Sequence, residues 1–385
     1  GAANAAGGEF QIDRSLRFNS ADSAYLNRTP SSAGNRRTWT WAGWVKRSEL
    51  GGTGSVIFSA YNGVINQDLY ITFINASTSS GPTDGIALYS PSAGANIAVA
   101  SDAVFRDVSA WYHIVCSVDT TQSTAADRVK IYVNGTEVTY NVTTYPSLNQ
   151  ELQINSTQPH AIGSRPSGVG SAFFNGYLAD VHLIDGQALA PTDFGEYDDN
   201  NVWQPKAYTF TTNPNNGTTW SSTTNGNFWT AISRGADKAF NGSVNGTDYA
   251  QATTGNTATV SGLGITGITS IRVNIAKNSS SDNWGTFALD STDLTSWLQS
   301  NYASVGNSGT WIDVTSQFTS TTLGSISVTS NSSSVDIRLA GVEINGYVLL
   351  DGADDNSFHL PFSDNSSNAA LGTDSSGNGN TWTVN

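Results

Sequence analysis

Val129-Lys-Ile-Tyr-Val-Asn-Gly-Thr-Glu-Val-Thr-Tyr140 is the stretch that decides the fold class. Val129, Ile131 and Val133 alternate with Lys130 and Tyr132, the period of a strand. Asn134-Gly135 follows, the dipeptide that fits a type I′ turn, in which both central residues need φ > 0. Glu137-Val-Thr-Tyr140 is then the returning strand, and the whole stretch reads as an antiparallel hairpin.

The same short runs recur on either side of it. Upstream are Ser15-Leu-Arg-Phe-Asn19, Trp39-Thr-Trp-Ala-Gly-Trp-Val-Lys46, Ser55-Val-Ile-Phe-Ser59, Leu69-Tyr-Ile-Thr-Phe-Ile74, Gly85-Ile-Ala-Leu-Tyr89 and Trp111-Tyr-His-Ile-Val-Cys-Ser-Val118. Downstream lies Phe173-Phe-Asn-Gly-Tyr-Leu-Ala-Asp-Val-His-Leu-Ile184, a long strand or strand pair. A brief helical turn is expected over 190–195, with Pro191 near its first position. Many short strands without long helices between them argue for an antiparallel sandwich over residues 13–208. Residues 1–12 are rich in Ala, Gly and Asn and read as an arm.

A second region spans 209–350. It opens on an Asn/Thr/Gly stretch, 211–227, that reads as a linker or long loop. Strands follow at Thr257-Ala-Thr-Val260, Ser270-Ile-Arg-Val-Asn-Ile275, Thr286-Phe-Ala-Leu289, Ser325-Ile-Ser-Val328 and Val335-Asp-Ile-Arg-Leu-Ala340. One helix is expected, with Leu294, Trp297, Leu298 and Asn301 on one face and Asp290 or Ser291 as its cap. The fold class is therefore all-β: tandem antiparallel β-sandwiches, the second smaller and carrying one helix. Residues 351–385 are too few to hold a core and are set apart as a C-terminal segment.

Composition narrows the function classes. Charged residues are only 12% of the chain, so Ser, Thr, Asn and Gly must cover its surface. The net charge of −14 repels phosphate backbones and anionic lipid, which argues against nucleic-acid partners and membrane attraction. No run approaches the roughly 18 apolar residues of a membrane span, and no signal peptide is evident. The single cysteine, Cys116, lies in a strand-like run and is expected to be a buried thiol; neither a disulfide framework nor a cysteine-based zinc site is available. The chain has no Met and stops in mid-pattern at Thr381-Trp-Thr-Val-Asn385, so a longer parent chain is expected.

The first region resembles the laminin-G-like, pentraxin-like jelly-roll superfamily. The residues that carry the resemblance are Ser15-Leu-Arg-Phe-Asn, Trp39-Thr-Trp-Ala-Gly-Trp-Val, Ala110-Trp-Tyr-His-Ile-Val, Val129-Lys-Ile-Tyr-Val-Asn-Gly and Phe174-Asn-Gly-Tyr-Leu-Ala-Asp-Val, in that order. Phe358-His-Leu-Pro-Phe-Ser-Asp-Asn-Ser, followed by Asp374-Ser-Ser-Gly-Asn-Gly-Asn380, resembles the opening of another such domain. The phrases from Gly176 to Glu196 and from Leu350 to Leu360 resemble tailed-phage structural and fibre proteins. That resemblance implies a virion-surface location, other virion proteins as partners, and self-assembly, with a trimer favoured.

The chemistry is sparse. Glycosidases of such folds need two carboxylates about 5–10 Å apart. Glu196 and Asp198 sit in a loop-like run, the adjacent pairs Asp198-Asp199 and Asp354-Asp355 read as loop charges, and no catalytic residues are assigned. His113, His182 and His359 fall in strand-like runs and read as half-buried strand positions, not as ligands. No cofactor is required; calcium is the one plausible ion, with Asp351, Asp354, Asp355, Asp364 and Asp374 as candidate ligands. Glycan binding would use an exposed ring ringed by polar groups. Trp220, Trp229, Tyr249 and Trp284 stand in polar, turn-rich contexts and are the candidates. Trp39, Trp41, Trp44 and Trp111 lie in strands and are expected to fill the core.

The expected function is attachment by a virion-surface or tail-fibre protein, through host surface glycans. The competing readings are a purely structural decoration or fibre-shaft protein, a secreted bacterial adhesin or carbohydrate-binding module, and a glycan depolymerase.

Overall fold

The computed structural model describes residues 10–385 apart from 52–54, 62–67, 76–80, 91–96, 166–171, 224–225, 231–233, 244–247, 278–284, 303–304, 307 and 332–336. Most of the expected N-terminal arm thus lies outside the described residues. The chain divides into two units, Gly1–Phe210 with Asp355–Asn385, and Thr211–Asp354. Both are built from antiparallel sheets. No described helix is long and apolar enough to cross a membrane.

In the first unit the described residues form a seven-stranded and an eight-stranded sheet with a core between them. Alternation decides which side chains enter that core. On Asp68–Phe73, Leu69, Ile71 and Phe73 point inward. On Thr38–Arg47, Trp39, Trp41 and Val45 do so, and the two tryptophans have no exposed surface. Trp44 and Trp111 are half-buried, not core. Cys116 is buried in the core, and burial pushes its thiol pKa up.

The turn of the expected hairpin forms, but the returning strand is only Thr136–Glu137, and Tyr140 opens a strand, Tyr140–Thr144, of the other sheet. Asn134 has φ 49° and Gly135 φ 80°, and the strand Val129–Val133 pairs with Thr136–Glu137. The Asn134 side chain also accepts the His113 backbone N–H at 2.8 Å. A Cβ on Gly135 would lie 2.4 Å from the Trp203 ring, so the turn needs glycine for space as well as for φ.

The seven-stranded sheet is buried on both faces. Its outer face carries Ala42, Val115 and Ile184, and a second small cluster of Leu189, Phe194, Tyr208 and Phe210 covers them. The short helix Pro191–Asp193 and the hairpin Gly195–Tyr197/Trp203–Pro205 belong to this covering stretch.

The segment set apart as 351–385 is the main correction. Its residues from Asp355 onward do not open a further domain; they complete the first one. The edge of Gly176–Asp185 is covered in two instalments. Leu16–Phe18 pairs with Leu178 to Gly176, and Phe358–Leu360 continues along the same strand, opposite Leu183 to Val181. Thr383–Val384 closes the other sheet on Leu26 and Asn27. Phe358, Leu360, Phe362 and Trp382 are at most 3% exposed and belong to the core. The physical reason is that residues 13–208 leave one sheet edge unpaired and one end of the core unfilled.

The second unit has two four-stranded sheets among its described residues. One pairs Thr257–Thr266, Thr322–Thr329, Thr286–Leu289 and Thr292–Asp293; the other pairs Thr310–Asp313, Ile271–Lys277, Ile337–Ile344 and Tyr347–Val348. Its core is mostly aliphatic. The stretch 211–227 is not a free linker: Asn215 donates to the Val348 carbonyl and accepts from the Leu350 N–H, both at 2.9 Å. The helix runs over Thr295–Asn301, with Leu298 fully buried. Its expected cap is corrected. Asp290 and Ser291 form the two-residue turn of the hairpin Thr286–Leu289/Thr292–Asp293, and Asp290 accepts from the backbone of Gly324 and Ser325. The Asp293 carboxylate meets the Thr295 N–H at 2.8 Å instead.

Candidate functional site

The four aromatic candidates do not converge. Trp220 is 3% exposed and part of the second unit's core. Tyr249 is 7% exposed and lies under the Arg338 guanidinium, 4.0 Å from its ring centroid. Neither offers an open face to a sugar, which corrects their assignment. Trp284 lies outside the described residues. Trp229 keeps the predicted exposure, at 36%.

Local backbone explains the exposure of Trp229. Phe228 bridges Ala252, and the Trp229 N–H donates to the Gln251 carbonyl at 3.1 Å. In extended backbone successive side chains point to opposite sides. Phe228 is buried in the core, so Trp229 faces outward. Arg234 stands beside it, with Cζ 5.8 Å from the ring centroid, and Gln251 N–H ties back to the Arg234 carbonyl. Trp229 is the one described tryptophan in the exposed class. A ring with one cation beside it can stack on a pyranose face while the guanidinium donates to hydroxyls.

One aromatic was missed by the sequence reading. Half-buried Trp311 sits 5.3 Å from Arg272, whose guanidinium donates to both carboxylate oxygens of Glu343 at 3.0 Å. Its signal was the alternation with core residue Ile312.

The five aspartates expected to hold calcium are mostly occupied in turns. Asp351 accepts from the N–H and hydroxyl of Ser221 at 3.1 and 2.5 Å. Asp355 accepts from Ser357 N–H and the Asn378 amide. Asp364 accepts from the Ser366 N–H, which holds its carboxyl below the usual range. Asp374 accepts from the N–H groups of His359, Ser376 and Asn380. Asp354 is half-buried. Asp198, of the weighed carboxylate pair, likewise accepts from Asn200 and Val202 in its own turn.

Three of the four histidines gather instead around one aspartate. Asp180 has φ 51°, at the irregularity between Ala179 and His182 in the strand Gly176–Asp185. A bulge of this kind re-aims a side chain. Its carboxylate accepts from His359 Nε2 at 2.6 Å. The rings of His182 and His359 stack at 4.0 Å with 8° between their planes. His182 Nδ1 donates to the Asp180 carbonyl at 3.1 Å, and His359 Nδ1 meets Ser375 Oγ at 2.8 Å. Among the described residues, Asp180, His182 and His359 form the only set of three potential metal-ligating side chains whose donor atoms all lie within 4.8 Å of one another. His113 is close by, its Nδ1 accepting from Trp203 Nε1 at 3.1 Å.

Burial dominates the electrostatics of this cluster. It pushes His113 down to about 3 and His182 down to about 4, against the pull of Asp180 on both. Burial also raises the Asp180 carboxyl, but the His182 ring and the hydrogen bond from His359 outweigh it, and the net shift is downward. The sequence reading placed these histidines in strands but had no sign that they met, because they come from three strands far apart in the chain.

Comparison with known proteins agrees with the fold of the first unit. Residues 19–193, less than half of the chain, match the family model of the concanavalin A-like lectin/glucanases superfamily. No curated protein matches the chain. Among solved structures, a proposed carbohydrate-binding protein from Bacteroides ovatus is similar at 16% identity, over 47% of this chain and 45% of that one, with a TM-score of 0.33. A heptameric SAP-like pentraxin from Limulus polyphemus is similar at 18% identity, over 48% and 75%, with a TM-score of 0.31. The enzymatically active domain of a tailspike protein from bacteriophage CBA120 is similar at 14% identity, over 47% and 28%, with a TM-score of 0.31. The chain thus spans less than half of the Bacteroides protein and under a third of the phage domain, and each likeness is one of fold alone.

Proposed function

We propose that this chain is a virion-surface attachment protein that binds host glycans, with Trp229 as the stacking platform. The observation that carries the reading is the outward Trp229 ring, 36% exposed beside Arg234, its backbone N–H tied to the Gln251 carbonyl. Tryptophan is enriched among the residues that dominate binding energy at interfaces, which makes this ring the candidate anchor. The lectin-like fold of residues 19–193 and the acidic, sparsely charged surface support a binding protein over a nucleic-acid or membrane partner. In this reading the chain self-associates, with a trimer favoured, and is held on the particle by other virion proteins.

The test is a glycan array probed with the full chain and with Trp229→Ala. The expected result is selective binding that falls at least about tenfold in the variant, the usual loss of an aromatic anchor. Binding that survives the substitution removes Trp229 from the site. No binding to any host glycan leaves the structural decoration or fibre-shaft reading in its place.

A further inference from the structure

We propose that Asp180, His182 and His359 form a binding site for a transition-metal ion, with zinc the expected occupant. The inference is independent of the glycan reading and rests on how the strands place three donors. His182 and His359 are directly opposite partners on neighbouring antiparallel strands. Asp180 lies two residues before His182, and Val181 between them points into the core. Asp180 and His182 therefore share the outer face, with His359 across from them. The left-handed φ of Asp180 is uncommon for a non-glycine residue, and its carboxylate lies beside the two rings, 2.6 Å from His359 Nε2 and 4.0 Å from His182 Nδ1.

The hydrogen bonds around the rings become those of metal ligands after one proton shift. A carbonyl only accepts, so the contact from His182 Nδ1 to the Asp180 carbonyl requires the proton on Nδ1. The lone pair of neutral His182 is then on Nε2. His359 Nε2 now donates to the Asp180 carboxylate. To ligate through Nε2 it need only move its proton to Nδ1. There Ser375 Oγ can accept it, while its own hydrogen points to the His359 carbonyl at 3.3 Å. Both rings thus have a partner on Nδ1 that fixes their orientation, the arrangement that supports metal-bound imidazoles.

Two imidazole nitrogens and one carboxylate oxygen suit zinc and its neighbours, and leave a position for water. Calcium, which takes oxygen donors, does not fit this set. The stack must adjust to admit the ion. Parallel rings direct their in-plane lone pairs side by side, whereas a metal about 2.0–2.1 Å from each nitrogen lies in both ring planes. A rotation about the broad χ2 torsion of His182 or His359 brings the planes together. His359, whose side chain is 20% exposed, is the open side of the cluster.

The experiment uses the full chain, stripped with a chelator, dialysed and titrated with Co²⁺. The expected result is one Co²⁺ per chain, with the visible absorption of a four-coordinate ion, displaced by Zn²⁺. Asp180→Asn and His359→Ala should abolish the band. Ser375→Ala keeps all three ligands and should weaken Zn²⁺ roughly tenfold, the typical effect of losing a supporting hydrogen bond. If His359→Ala fails to fold by circular dichroism, Ser375→Ala and Asp180→Asn decide the matter. Absence of a stoichiometric Co²⁺ band, or affinity unchanged in these variants, overturns the proposal.

Discussion

The two sandwiches differ in how the chain closes them. The second is continuous, with all its strands between Thr211 and Asp354. The first is interrupted: its sheets are finished by a strap, Asp355–Asn385, that arrives only after the whole second unit. They also differ in core chemistry. Both are filled mainly by Ile, Leu and Val, but the first carries more rings, with Trp39, Trp41, Phe58, Phe358 and Trp382 among them. All four histidines belong to the first unit and none to the second. A continuous sandwich can stand by itself; an interrupted one depends on residues far away in sequence.

The sharpest way to break this contrast is to end the chain at residue 354. Calorimetry should then show the second unit's transition retained and the first unit's abolished, because four large core side chains and two edge strands are lost together. Residues 211–354 expressed alone should give the same retained transition. If the truncated chain keeps both transitions, the strap is an accessory.

A smaller cut is Trp382→Ala. Fully burying a ring of this size makes its removal cost about 3–5 kcal/mol, and the loss should appear only in the first unit's melting.

Acid should separate the units next. His160 is buried, donates from Nδ1 to the Gln158 carbonyl at 2.8 Å, and accepts the Asn155 N–H on Nε2 at 3.1 Å. Protonation would set two N–H groups against each other at Nε2. Burial accordingly pushes its pKa from 6.5 down to about 4. The unfolded state therefore binds the proton first, and folding stability is complete above pH 6.5. It falls as the pH drops from about 6.5 towards 4, where the loss levels off at roughly 3 kcal/mol. Melting at pH 7 and pH 4.5 should lower the first transition more than the second, and His160→Gln should narrow the difference, leaving the share of the buried His113 and His182.

The smallest effect sits in the second unit. Asp290→Ala removes the carboxylate that accepts from Gly324 and Ser325, at a cost of about 1 kcal/mol. Urea unfolding should show it in the second transition alone.

What was legible in the sequence was local. Asn134-Gly135 announced a hairpin because its backbone demands are met by those two residues alone, and Asn345-Gly346 repeats that signature between two paired strands. The long strand Gly176–Asp185 was legible from its apolar run. The strap was not, because pairing between His182 and His359 leaves no trace in either segment alone. Its Asp-Ser-Ser-Gly-Asn-Gly turn pointed instead to the start of a new domain. Trp220 and Tyr249 misled for a related reason: polar neighbours describe the turns the backbone makes there, not the side to which the rings point. Trp229 has the expected exposure because its neighbour Phe228 takes the inward place. The histidine cluster needed a bulge at Asp180 and three strands brought together, none of which a window of sequence contains.

The late arrival of the strap has a consequence during synthesis. At roughly 5–20 residues per second, the ribosome takes on the order of ten to thirty seconds between Phe210 and the last residues of the first unit. For that interval the jelly roll waits unfinished, with the outer edge of Gly176–Asp185 bare beyond Leu178 and its core open at one side. The second unit, complete as soon as it emerges, can fold during the pause. The order of folding is then the reverse of the order of the opening strands: the inserted unit first, the surrounding one last.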